Sequence, residues 1–182
     1  MLYQIASFLL DVAAGLLGGA CLLRLYMQQQ RIGFGNPVGR FVFALTDWLV
    51  LPLRRVLPAL GRLDTASLVG AYLLQLVQYG LLYLLAGRGA GAEWLPVLAV
   101  FGLLRLVVSA LTGLMIVYAI LSWVRSDSPI SDVIERLCAP LLRPFRRLIP
   151  LVGGFDLSPL AFLVLLQVLA IVLASLQAAV FH

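Results

Sequence analysis

The chain reads as an all-α membrane protein. Four transmembrane helices form two tandem parallel repeats, each carrying an amphipathic segment at the cytoplasmic interface. Three observations predict this. Of the 182 residues, 63% are hydrophobic and 12% charged, with a mean hydropathy of +1.06, whereas a soluble domain keeps about 25% charged residues to wet its surface. Four apolar runs are long enough to span, since about 20 helical residues cross a hydrocarbon layer of about 30 Å. A shift of 92 residues aligns one half of the chain with the other without a gap.

The first span is Ile5–Gln28, interrupted by Asp11 and Arg24. It has neither a positive leader nor a small-residue cleavage site, so it reads as retained and not as a signal peptide. Residues 37–58 form the first amphipathic segment. Its opening, Asn36-Pro37, is an N-cap followed by proline at the first helical position. Ala66–Ala86 is the second span. The third lies within Trp94–Val124. Its first turns, around Pro96 and Gly102, fall in or above the interface, leaving about 99–124 as the span itself. Residues 129–150 form the second amphipathic segment, opened by Ser128-Pro129, and Leu157–Val180 is the fourth span. The repeat units are thus 1–88 and 89–182.

At the 92-residue offset, Tyr26 falls on Tyr118, Pro37 on Pro129, Pro52 on Pro144, Arg54 and Arg55 on Arg146 and Arg147, and Pro58 on Pro150. Gly61 falls on Gly153, Asp64 on Asp156 and Gln75 on Gln167. Each unit crosses twice, so the copies share one orientation, unlike the inverted repeats of many transporters. Arg31, Arg40, Arg54, Arg55 and Arg62 lie between spans one and two. Arg125, Arg136, Arg143, Arg146 and Arg147 lie between spans three and four, while the middle loop has only Arg88. The positive-inside rule therefore puts both basic segments in the cytoplasm and both termini outside.

On a helical wheel, Ile134, Leu137, Cys138, Leu141, Leu142, Phe145, Leu148 and Ile149 gather on one face of the second segment, and Arg136, Arg143, Arg146 and Arg147 on the other. That pattern suits a helix lying in the interface, its apolar face in the acyl boundary and its arginines among phosphates. Pro140 and Pro144 each remove a backbone donor, which predicts a kink or a break into two short helices. Gly153-Gly154 allows a tight reversal, after which Asp156 or Ser158 caps the last span.

The basic residues are thirteen arginines with no lysine, for a net charge of +5. Guanidinium groups bind phosphate bidentately, so the charge points to anionic phospholipid and not to nucleic acid, for which no basic soluble face remains. Cys21 and Cys138 read as buried small hydrophobes. His182 is the only histidine, which excludes a histidine-ligated metal or haem within the chain, and no cofactor is expected. There is no phosphate-gripping loop, HExxH or Ser-His-Asp set, so an enzyme is not expected.

The run WVRSDSPISDVIERLCAPLLRPFRRLIPLVGGFDLSPL, with Pro129, Pro140, Pro144, Arg146, Arg147, Pro150, Gly153 and Asp156, resembles the signature of the YggT family of small membrane proteins (YlmG in Gram-positive bacteria, with plastid relatives). The resemblance covers essentially the whole chain and matches the duplicated four-span form. The first copy departs from it, with Trp48 in place of Pro140 and Arg62 in place of Gly154. The resemblance implies a multi-pass protein of the bacterial inner membrane. It also implies roles in division or envelope organisation, in osmotic and ion homeostasis or, in plastids, in cytochrome assembly, and it carries over no catalytic residues.

Three groups are site candidates. Arg54, Arg55, Arg143, Arg146 and Arg147 either only fix topology or clamp anionic lipid or an acidic partner segment, at about 1 kcal/mol per arginine near the surface. Asp11 and Arg105 fall at nearly equal depth and either form an inter-repeat ion pair or snorkel separately. Gln75 and Gln167, both near mid-membrane, either bond between helices or line a polar path. The expected function is an assembly or scaffold factor that binds an unidentified membrane-protein partner or anionic lipid, with homo-oligomers possible. The alternative is a small oligomeric ion channel, or a modulator of ion movement, in osmotic stress.

Overall fold

The computed structural model describes residues 1–57, 63–87, 91–124, 128–148 and 156–180. Among the described residues six α-helices follow one another: α1 (Leu2–Gln29), α2 (Pro37–Val56), α3 (Thr65–Leu85), α4 (Leu95–Val124, after a 3₁₀ turn at Ala92–Trp94), α5 (Pro129–Leu148) and α6 (Ser158–Val180). Four of them, α1, α3, α4 and α6, are long and apolar enough to cross a membrane. Their ends fall close to those the hydropathy predicts. Pro150, Gly153 and Gly154 lie outside the described residues.

Local chemistry sets the helix ends. At the end of α1, Arg31 turns left-handed (φ 56) and the Ile32 N–H reaches back to the Met27 carbonyl at 3.0 Å, a way of closing a last turn that leaves fewer orphan carbonyls. Asn36 Oδ1 then accepts from the Gly39 N–H at 2.8 Å and Pro37 fills the first helical position, so α2 starts where the Asn-Pro pair predicts. Ser128 does the same for α5, its Oγ accepting from the Ser131 N–H at 3.2 Å.

α2 and α5 each run as one helix, with Pro52 inside the first and Pro140 and Pro144 inside the second. Of the kink and the break expected at Pro140 and Pro144, the break does not occur. Pro140 withholds its donor from the carbonyl of Arg136, an exposed residue, and a carbonyl on the outer side of a helix keeps access to other donors. Of the apolar stripe, Ile134, Leu137, Cys138 and Leu142 are buried against this protein's own helices, whereas Leu148 is exposed. The stripe specifies an apolar neighbour, and the span ends supply one first.

Three cores result. Cys21, Leu22, Val50, Ala66, Ala71 and Leu106 join α1, α2 and α3 to α4. Met115, Ile134, Cys138, Leu142, Phe162 and Leu166 join α4, α5 and α6. Met27, Ile32, Val42, Val133 and Leu137 tie the end of α1 and α2 to α5, and Tyr26 Oη of α1 donates to the Leu137 carbonyl of α5 at 2.8 Å. The docking of α2 on α3 and of α5 on α6 uses positions 92 apart. Leu49 and Leu53 close over Gly70, while in the second half Phe145 meets Phe162 edge-on, with ring centroids 5.2 Å apart.

α3 packs tightly on α4 at Gly102, where a β-carbon would collide with Gln75 Oε1 and with Tyr79 Cε2 at 2.5 Å. Gly80 faces open space. We therefore expect Gly102→Leu to lower stability by about 1–3 kcal/mol, as overpacking does, and Gly80→Leu to be nearly neutral. Unfolding by SDS in mixed micelles reads both, and equal losses would contradict the packing described.

Candidate functional site: the arginine latches

The site is built where α2 and α5 each hand over to the next span. Arg54, in the last turn of α2, reaches Asp64 just before α3, with Nη2 2.5 Å from Oδ2 and Nε 3.3 Å from Oδ1. Arg146, in the last turn of α5, reaches Asp156 just before α6 at 2.8 Å. Each arginine has a further partner on the preceding span, Gln28 Oε1 for Arg54 at 3.2 Å and Tyr118 Oη for Arg146 at 2.8 Å. Gln28 is near the end of α1 and Tyr118 near the end of α4. One guanidinium thus ties three elements in each half. The carboxylates also hold the next helix: Asp64 accepts from Ser67 Oγ at 2.7 Å and Asp156 from the Ser158 N–H at 2.9 Å.

The two latches differ in depth. Asp64 is 1% exposed and Asp156 29%. Asp64 joins a buried network around Arg24, itself 2% exposed. Arg24 Nη1 donates to Thr46 Oγ1 and Asp47 Oδ1, both at 2.7 Å, its Nε lies 3.9 Å from Asp64 Oδ2, and its guanidinium sits 4.6 Å over the Phe43 ring. A charge at this depth is tolerated only when carboxylates and hydroxyls surround it. At the matching positions the second half has Ile116, Cys138 and Ala139, of which only Cys138 is buried, so it has no counterpart of the network. Burial pushes the Cys138 thiol up to about 12, which keeps it protonated and unreactive.

The electrostatics agree with the geometry. Burial alone would raise the Asp64 carboxyl, but donors from Arg54 and Ser67 outweigh it and hold the group below its ordinary value. For Asp156, burial is again outweighed, by Ser158 and Arg146. Both stay ionised at neutral pH.

Arg55, Arg143 and Arg147 take no part in the latches. All three are exposed and none has an ion-pair partner among the described residues. Val56 and Leu148, beside Arg55 and Arg147, are exposed as well. The candidate cluster is therefore split into two arginines that hold the protein together and three that face outward. Asp11 does not meet Arg105. Its Oδ1 accepts from Gln78 Nε2 of α3, and Arg105 is exposed on α4. Matched depth leaves the direction around each helix open, and Asp11 faces its own return span. Gln75 and Gln167 are not brought together either: Gln75 is 5% exposed, pressed against Gly102, whereas Gln167 is exposed on α6. Pro129, Pro140, Pro144 and Asp156 shape α5 and its junction with α6.

The Arg24 network was not anticipated from the sequence. A signal for it exists: Arg24 and Asp47 are opposite charges that both lack a charged counterpart at the 92-residue offset, as two groups that pair with each other would.

The family model described as CCB3/YggT matches residues 3–85 and 97–177. An uncharacterized protein YggT of Escherichia coli strain K12 is 39% identical over 167 residues, covering 90% of this chain and 86% of that protein. An uncharacterized protein of Pseudomonas aeruginosa is 38% identical over 178 residues, 95% of this chain and 90% of its own. One of Vibrio alginolyticus, encoded in the proC 3′ region, is 36% identical over 168 residues, 88% and 89% of the two chains. No solved structure matches the chain.

The depths of the latches set a prediction. Asp64→Asn leaves Arg24 and Arg54 short of a buried counter-charge and should cost about 3–5 kcal/mol, whereas Asp156→Asn, at a half-exposed pair, should cost about 1 kcal/mol or less. SDS unfolding of the two variants reads the difference, and equal costs would contradict the burial described. Because both carboxyls are held below 3.8, their contribution is present above that value and lost as the pH falls through the lowered one. Stability should be flat from about pH 5 to 8 and fall only below about pH 4.

Proposed function

The chain belongs to the CCB3/YggT family, and we propose that it works as a non-enzymatic scaffold of the bacterial inner membrane. Its two surface-lying helices hold anionic phospholipid headgroups at the cytoplasmic face, and with them a membrane-protein partner. The carrying observation is the division of labour among the arginines. Arg54 and Arg146 are spent on Asp64 and Asp156, which fixes each helix across its span ends. Arg55, Arg143 and Arg147 are left facing outward on a rigid support. An exposed arginine followed by an exposed apolar residue, as in Arg55-Val56 and Arg147-Leu148, suits the boundary where phosphates give way to acyl chains. Guanidinium supplies the bidentate donors that phosphate accepts.

Native mass spectrometry from nanodiscs tests the reading. Wild-type protein should retain anionic over zwitterionic phospholipid. The triple variant Arg55→Gln, Arg143→Gln, Arg147→Gln should lose that preference more than tenfold, since each arginine contributes about 1 kcal/mol near the surface, while both latches stay intact. Unchanged lipid retention with loss of a cross-linked partner would assign the arginines to an acidic protein segment. If neither changed, the arginines would serve topology alone.

A further inference from the structure

The two halves seat their returning spans differently. α3 lies against both α1 and α4 and closes one face of that pair, whereas α6, its counterpart at the 92-residue offset, lies against α4 and α5 and builds no packed interface with α1 among the described residues. The face of the α1–α4 pair away from α3 is consequently open. It forms an apolar groove of about 530 Å³, floored by Gly15 and Gly19 of α1 and Ala110 and Gly113 of α4, and roofed by Phe41 of α2 and Leu141 of α5. A β-carbon at Gly15, Gly19 or Gly113 would meet nothing within 4 Å.

α6 has an uncovered face to match. Gln167 is exposed there, although the corresponding Gln75 is buried against Gly102. A carboxamide left in hydrocarbon keeps its donors and acceptor unsatisfied, which is costly. The depths agree: Gly19 lies ten residues before the end of α1 and Gln167 nine residues after the start of α6. At about 1.5 Å per residue both sit about 14 Å from the side carrying α2 and α5.

We propose that a second copy of this chain fills the groove with its α6, reciprocally, giving a two-fold dimer. Each α6 packs on the partner's α1–α4 pair much as α3 packs on that pair from the other side within one chain. The contact that α6 lacks identifies the occupant. Among the described residues α6 has the counterparts of α3's packing on α1 and α2, in α4 and α5, but none for α3's packing on the first span of the other half, which the α1 of a second copy supplies. α3 and α6 both start from the side carrying α2 and α5, so the α6 of a second copy in the same membrane enters without inversion. Gly15 and Gly19, four apart, let the two backbones approach closely, and an amide such as Gln167 can then bond across the interface.

Cross-linking in native membranes tests this. Two differently tagged copies are co-expressed, one with Gly19→Cys and one with Gln167→Cys, and oxidised. A mixed disulfide dimer is expected, while wild-type protein, whose Cys21 and Cys138 are buried, should give none. Native mass spectrometry of the full chain should show a dimer, and Gly19→Leu, which fills only open space, should lower the dimer fraction at least tenfold with helix content by circular dichroism unchanged. Absence of the mixed disulfide in membranes overturns the proposal. A monomer that retains a phospholipid would then assign the groove to an acyl chain, and a bare monomer would leave it to bulk lipid.

Discussion

The structure depends on an arginine reaching ten residues ahead to an aspartate, once in each half. A helix lying across span ends has no covalent reason to stay there, because its apolar stripe is satisfied by any apolar surface, including lipid. The Arg54–Asp64 and Arg146–Asp156 bridges remove that freedom. Each ties the last turn of the surface helix to the first residues of the next span, and the third partner, Gln28 or Tyr118, ties both to the span before. The stripe then packs inward by default. This single constraint holds α2 and α5 as a roof over the bundle.

The halves stabilise the same junction by different chemistry. The first buries Arg24 among Thr46, Asp47, Asp64 and the Phe43 ring, so its specificity comes from charges that tolerate no other partner. The second uses Phe145 on Phe162 and a buried Cys138, and leaves its latch half-exposed. A junction of the first kind is costly to break and therefore rigid. One of the second kind adds apolar contact to a half-exposed latch, and its span α6 remains free on one side.

The elements were legible because length and hydropathy act locally. The spans, the Asn36-Pro37 start and the Ser128-Pro129 start all follow from residues within a few positions of one another. Partner choice was not legible. Asp11 and Arg105 share a depth, but whether they face each other depends on the rotation of α1 and α4, which the packing of Gly18 and Gly102 settles. Gln75 and Gln167 occupy matching places in sequence and opposite environments in space, because α3 is covered by α4 while α6 has no such cover. Within the arginine cluster, composition treated five residues alike. The spacing of Arg54 to Asp64 and of Arg146 to Asp156 already distinguished two of them, and the shared ten-residue interval was the available clue.

Arg146, not its neighbour Arg147, holds α5 to α6. Hydrogen–deuterium exchange on the intact protein in nanodiscs tests it most directly. Breaking the bridge with Asp156→Asn should speed exchange in the last turns of α5 and the first turn of α6, and Arg147→Gln should leave both segments as protected as in the wild type. Equal deprotection by the two substitutions, or none from Asp156→Asn, would contradict the latch.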